Sequence, residues 1–138
     1  MQIRSAASRP MKAGPADSFT GTVLLDGLAT AEPPARLNAN EVTFAPGART
    51  FWHTHRVRQV LVVTRGAGIV QIRGEAPQWL KQGDVAVVPP DVVHWHGAAA
   101  GSLMAHISLL EGGAEDTTWL EAVEDTDYRA ANAALTSA

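Results

Sequence analysis

The sequence predicts an all-β protein: a single barrel of short antiparallel strands followed by one short C-terminal helix. Three observations carry that expectation. A chain of 138 residues has room for one core and one domain. From Asn38 onward it runs through short β-branched and aromatic stretches. Between these stand Gly and Pro clusters that set backbone angles a strand does not adopt.

Residues 1–20, rich in Ala, Ser, Pro and Gly, are expected to form an extended N-terminal arm. The barrel is expected over residues 21–115 and a helical tail over residues 116–138. Regular structure begins at Thr22–Leu25. The strands that follow are Glu41–Phe44, Phe51–His55, Val60–Thr64, Gly68–Arg73, Asp84–Val88, Val93–His96 and Leu103–Leu110. Ala45-Pro46-Gly47, Arg65-Gly66, Arg73-Gly74, Gln82-Gly83-Asp84 and Pro89-Pro90-Asp91 supply the turns, which makes the strands antiparallel neighbours. In the tail the pattern predicts a helix over Asp116–Ala134, with Thr117 as N-cap and Trp119, Leu120 and Val123 as the stripe that packs on the outside of the barrel.

Composition narrows the function. The chain is 46% hydrophobic and 18% charged, as an ordinary globular protein is. A net charge of −3, without a dense Lys/Arg cluster, gives no electrostatic reason to expect nucleic acid or an anionic membrane as partner. A small-molecule substrate is expected instead. Met1 to Asp17 carries Arg4, Arg9 and Lys12 but no continuous apolar stretch, and no segment approaches membrane-spanning length, which fits a cytoplasmic protein. With no cysteine, any bound metal must be held by nitrogen and oxygen donors.

All five histidines fall between positions 53 and 106. His53 and His55 are two apart, so in a strand both imidazoles point to one face and make half of a metal site. Gln59, beyond Arg56-Val57-Arg58, can present its amide oxygen from the adjacent wall, and His94 comes from a more distant strand to close the set. Each piece alone has a plainer reading. The His pair can be solvated or satisfied in a core, Gln59 can be a polar rim residue, and His94-Trp95-His96 can be an aromatic strand that only packs.

Spacing separates these readings. Gly47, five residues, His53-Thr54-His55, three residues, Gln59, six residues, Gly66 is followed by Gly83, five residues, Pro89-Pro90-Asp91, two residues, His94. This order of two motifs resembles the cupin superfamily over roughly residues 38–110. The resemblance implies a jelly-roll barrel and one divalent metal ion held by His53, His55, Gln59 and His94. Three positions depart from the usual pattern: Gln59 replaces Glu, Asp91 replaces Gly, and Ala98 replaces the Asn that often follows the last His. Asp tolerates glycine-like conformations better than most residues. The Gln has a chemical consequence, because four neutral donors leave the charge of a divalent ion uncompensated, so the site attracts anions and is the stronger Lewis acid.

Gly14-Pro15-Ala16-Asp17, Phe19-Thr20-Gly21-Thr22-Val23, Pro46-Gly47-Ala48-Arg49-Thr50, Trp52-His53-Thr54-His55 and His94-Trp95-His96-Gly97-Ala98-Ala99 are similar to the small bacterial manganese-dependent hydroxynitrile lyases of the cupin type. That resemblance implies reversible cleavage of cyanohydrins to an aldehyde and hydrogen cyanide, with Mn²⁺ as the ion. Nitrogen and oxygen donors also accept Fe²⁺, Zn²⁺, Ni²⁺ or Co²⁺. Four protein ligands leave two positions open on an octahedral ion.

The substrate's proton then needs a base, for which His96, sharing strand parity with His94, and His106, inward-facing with Met104, Ser108 and Leu110, are both candidates. His106 can equally be a histidine that orients a ligand. Thr50 can add a hydroxyl to the pocket, and Val42, Phe44, Val87 and Leu110 are expected as its apolar wall. Trp52 and Trp95, of opposite parity, are expected in outer packing between layers or subunits. By resemblance, the arm points to a homodimer or homotetramer. Two other readings stay open: an iron-dependent dioxygenase acting on a small enol, diketone or phenol, and a non-catalytic small-molecule-binding barrel. The first is weakened because Gln59 supplies no carboxylate, the second because no partner domain or stacking platform is visible.

Overall fold

The computed structural model describes residues 1–136 and is built almost wholly of antiparallel strands. In chain order they are β1 (Lys12–Ala13), β2 (Phe19–Thr20), β3 (Val23–Ala29), β4 (Leu37–Phe44), β5 (Arg49–Thr50), β6 (His53–His55), β7 (Gln59–Ile72), β8 (Gln78–Lys81), β9 (Val85–Val88), β10 (His94–Ala98), β11 (Met104–Glu111) and β12 (Thr117–Trp119). One helix, α1 (Asp125–Thr136), follows. The strands form one curled sheet that folds into two facing walls. In the first, β1, β3, β4, β11, the first half of β7 and β9 lie side by side; β2, β5, β10, β6, β12, β8 and the second half of β7 make the second. This is the all-β barrel with a short C-terminal helix that the sequence predicts. Among the described residues, no helix is long and apolar enough to cross a membrane.

β7 is the hinge between the walls. The sequence reading placed a turn at Arg65-Gly66, but the strand runs on through it, paired first with β9 and β11 and then with β8 and β10. Gly66, at φ 72°, bends the strand instead of ending it. A shift of register against β11 between Ala105 and His106 accompanies the bend, as a bulge does where a strand changes sheet. Asp91 is the one non-glycine residue at positive φ among the described residues, 63°, so the aspartate takes up the conformation of the glycine it replaces.

One expectation gains detail and another changes. Residues 1–20, expected as an extended arm, carry two short strands: β1 pairs with β3, β2 pairs with β5, and Arg9 clips onto Asp26 at 3.0 Å. The helix does not begin at Asp116. Thr117–Trp119 is a strand against β6, as two threonines and a tryptophan prefer when a partner edge is open, and the helix starts at Asp125.

Inward residues of both walls, among them Val23, Val42, Phe44, Val63, Leu80 and Met104, form the core of the barrel. Trp52, Ile69 and Trp95 face outward and pack against Val123, Tyr128 and Ala131 under the helix, the layer-to-layer role expected for the two tryptophans. Arg49 locks that layer: its buried guanidinium donates to the Val123 carbonyl at 2.7 Å and to Asp125 at 2.7 Å, and lies over the Tyr128 ring. The Tyr128 hydroxyl donates to the Ala98 carbonyl at 2.7 Å.

A side chain at Gly66 would meet the Leu103 carbonyl oxygen 1.9 Å away, whereas at Gly74, φ 85°, it would meet nothing within 4 Å. Gly74→Ala should cost about 1–2 kcal/mol, the left-handed backbone penalty alone. Gly66→Ala should cost at least about 3 kcal/mol, because the strand must also move. Urea unfolding of the two variants measures the difference, and equal losses would contradict the hinge.

Candidate metal centre and pocket

Strand alternation sets the site. In β6, His53 and His55 are buried with Thr54 half-exposed between them; Gln59 opens β7 from a buried position; His94 and His96 lie on β10 and His106 on β11, all buried. His94 sits opposite His53 in the ladder, with ring centroids 4.2 Å apart. The His55 ring lies 4.9 Å from His53 and 5.5 Å from His94. A cavity of about 410 Å³ opens onto His53, His55, Gln59, His96, His106 and Thr50, a volume suited to a small ligand.

Hydrogen bonds fix which ring nitrogen faces inward. His53 Nδ1–H donates to the Phe51 carbonyl at 2.8 Å and His94 Nδ1–H to the Val92 carbonyl at 3.0 Å. A carbonyl only accepts, so each ring carries its proton on Nδ1 and leaves a bare lone pair on Nε2. His55 Nδ1 lies 2.8 Å from the Thr117 hydroxyl, and its buried Nε2 has no hydrogen-bond partner among the described residues. The hydroxyl expected to cap a helix thus holds a histidine instead.

Gln59 donates from Nε2 to the Ser108 hydroxyl at 2.9 Å, which turns its Oε1 to within 3.2 Å of His94 Nε2. Two electron-rich atoms therefore face each other without a proton between them. A cation resolves such a contact, and about 3 Å is the spacing of neighbouring ligands on an ion about 2.1 Å from each. Nitrogen and oxygen donors of this kind suit a divalent ion. Among the described residues, the histidines whose ring nitrogens all lie within 4.8 Å of one another are His53, His94 and His96, so these three can hold a metal; His55 is not in that group, and His96 stands nearer the centre than the sequence suggested.

Burial keeps the imidazoles neutral. Loss of hydration, followed by the proximity of His94, brings His55 down to about 4. Burial alone brings His106 to about 4, against the opposing pull of its own carbonyl. For His53 and His96 burial, and then the neighbouring His94 and His106 respectively, hold the ring well below the usual histidine range; His94 is lowered by burial as well. A metal ligand must be in this neutral form.

His96 and His106 form a pair of their own, with His106 Nε2 2.9 Å from His96 Nδ1. One of the two nitrogens carries the shared proton. His96 Nε2 and His106 Nδ1, the far ends of the pair, are buried and have no hydrogen-bond partner among the described residues. Thr50 Oγ1 accepts the His96 main-chain N–H at 3.2 Å, which leaves its own proton free to donate.

Of the expected wall residues, Thr50, Val42 and Leu110 line the cavity. Phe44 sits in the closed core instead, its ring 5.4 Å from His106 and 6.1 Å from His96. Val87 is on the outside and 55% exposed, because Val88 pairs with Gln59 and takes the inward position with Ala86. Leu25, Asn38, Asn40 and Trp119 also line the cavity and were not anticipated. Asn38 and Asn40 share strand parity with Val42, a signal the sequence held; Trp119 was hidden by the helical reading of the tail.

The family model described as a cupin domain matches residues 40–109. An (R)-mandelonitrile lyase from Granulicella tundricola is 46% identical over 132 residues, covering 94% of this chain and 99% of that protein. A cupin-like protein from Thermotoga maritima superposes with a TM-score of 0.81 at 43% identity, covering 86% of this chain and 91% of the other. The polyketide cyclase RemF from Streptomyces resistomycificus shares the fold alone, with a TM-score of 0.70 at 12% identity and 98% of each chain covered.

Histidines held below their unfolded value bind protons in the unfolded chain first, so they favour the folded state fully above about pH 6.5 and lose that contribution as pH falls toward 4. In the presence of a chelator, thermal stability should therefore drop between about pH 6.5 and 4, by up to roughly 1.4 kcal/mol per pH unit for each histidine. Thermal melts across that window check it; a flat profile contradicts the buried neutral cluster.

Proposed function

This chain belongs to the cupin family, and we propose that it is a metal-dependent lyase that cleaves cyanohydrins reversibly to an aldehyde and hydrogen cyanide. One observation carries the reading: a hydrogen-bonded histidine pair, His96 and His106, borders the same cavity as a set of inward nitrogen and oxygen donors. The likeness to a mandelonitrile lyase over nearly the whole chain supports it.

In this reading His53, His55, Gln59 and His94 hold one divalent ion, Mn²⁺ by family likeness with Fe²⁺, Zn²⁺, Ni²⁺ and Co²⁺ as alternatives. Bound there, the ion would supply Lewis acidity to the substrate hydroxyl and, uncompensated by four neutral donors, attraction for cyanide. The histidine pair takes the hydroxyl proton. As the carbonyl forms, the bond to the nitrile carbon breaks and its electron pair leaves as cyanide. The same pair returns the proton, giving hydrogen cyanide. Sharing one proton across 2.9 Å lets uptake at one ring's outer nitrogen be answered at the other's. Thr50 directs a hydroxyl proton toward the reacting atoms, while Val42, Leu110 and Leu25 give an apolar seat for an aromatic or aliphatic aldehyde. Assembly as a homodimer or homotetramer in the cytoplasm belongs to the same proposal. Leu24, Leu37, Val85 and Val87, each an exposed apolar side chain on a strand of the first wall, support the assembly.

Mandelonitrile cleavage by the Mn²⁺-loaded protein tests the reading. Chelation should abolish turnover and Mn²⁺ restore it, and His106→Ala should lower kcat by about 10²–10⁴ while metal content holds. Full turnover after chelation would sink the proposal. So would no turnover combined with dioxygen consumption on a diketone or phenol, the result expected of an iron dioxygenase.

A further inference from the structure

We propose that Ser108 is a positioning residue that lets the Gln59 carboxamide stand oxygen-first toward the metal centre. The inference rests on the reading above, in which Gln59 contributes a donor atom.

A carboxylate at position 59 would present either of two equivalent oxygens. A carboxamide has one useful end and one harmful end. Oxygen inward, it offers a lone pair; turned by 180°, it offers N–H groups that repel a cation. The torsion that exchanges the two ends is broad and has little preference of its own, so the neighbours decide.

One neighbour here favours the harmful end. His94 Nε2 carries a bare lone pair, because its Nδ1 proton goes to the Val92 carbonyl. An amide with no other partner would gain by turning its N–H toward that nitrogen, hiding its own oxygen and blocking a second donor in one movement. Ser108 keeps the oxygen-inward state open: its hydroxyl can serve either end of the amide, so both orientations are paired and a bound cation decides between them. On β11, opposite Leu61 of β7, the Ser108 hydroxyl accepts the Gln59 Nε2–H at 2.9 Å, and Oε1 stays 3.2 Å from His94 Nε2. Without the hydroxyl, the oxygen-inward state would leave a buried N–H unpaired, which is costlier than an under-satisfied oxygen. The balance would then tip toward the turned amide.

Ser108 therefore matters because residue 59 is Gln, and the two positions should behave as a coupled pair. Mn²⁺ binding, read as free Mn²⁺ by electron paramagnetic resonance during titration, tests this without reference to turnover. Ser108→Ala should weaken binding by about 10–100-fold, the usual effect of removing a group that orients a ligand. Ser108→Thr, which keeps the hydroxyl, should bind as the parent does. In a Gln59→Glu background, Ser108→Ala should change binding by less than about 3-fold, since a carboxylate has no wrong end. Parent-like binding by Ser108→Ala overturns the proposal; so does an equal loss in both backgrounds, or a loss in Ser108→Thr as large as in Ser108→Ala. Gln59→Ala separates the two levels. If it binds Mn²⁺ like the parent, Gln59 is not a donor and both readings fall. If it weakens binding while Ser108→Ala does not, only the role of Ser108 falls.

Discussion

The donation of two imidazole protons to main-chain carbonyls is the constraint on which the site depends. Phe51 and Val92 each lie two residues before the histidine they bind, so the strand that carries the ring also fixes its tautomer. With those protons turned outward, His53 and His94 have nothing to offer the interior but lone pairs. The facing oxygen of Gln59, 3.2 Å from His94 Nε2, adds to the electron density gathered there. Such a concentration is unfavourable alone and favourable around a cation.

The barrel can carry this because its walls do separate jobs. The inward side divides into a closed apolar core around Phe44, Val63 and Met104 and an open cavity at the histidines. Phe44 touches both, its ring against His96 and His106, and so helps keep water from the buried ends of that pair. The depressed basicity of all five histidines is the electrostatic expression of the same exclusion.

Much of this was legible before any coordinates. Alternation put His53 and His55 on one face and Met104, His106, Ser108 and Leu110 on another, and the glycine spacing tied the two motifs to one architecture. Alternation failed where register mattered. Val87 and Val88 are equally apolar, and only the pairing of Val88 with Gln59 decides which faces in. Phe44 has the right parity but lies too deep, a question of distance along the barrel that periodicity does not address. Thr117 to Trp119 read as helix because an apolar stripe can be fitted there, while the open edge of β6, which draws those residues into a strand, is a fact of tertiary structure. The bond between Gln59 and Ser108 joins positions 49 residues apart and leaves no trace in local pattern.

Arg49 and Thr50 are chain neighbours with opposite duties: one reaches backward to grip the start of the helix, the other forward into the cavity. The open end of the barrel is thus braced from outside by a splint that does not line the cavity. Anyone reshaping the cavity will find some of its adjusting screws on the far side of the wall, at Val123, Asp125 and Tyr128, where no survey of cavity-lining positions would look.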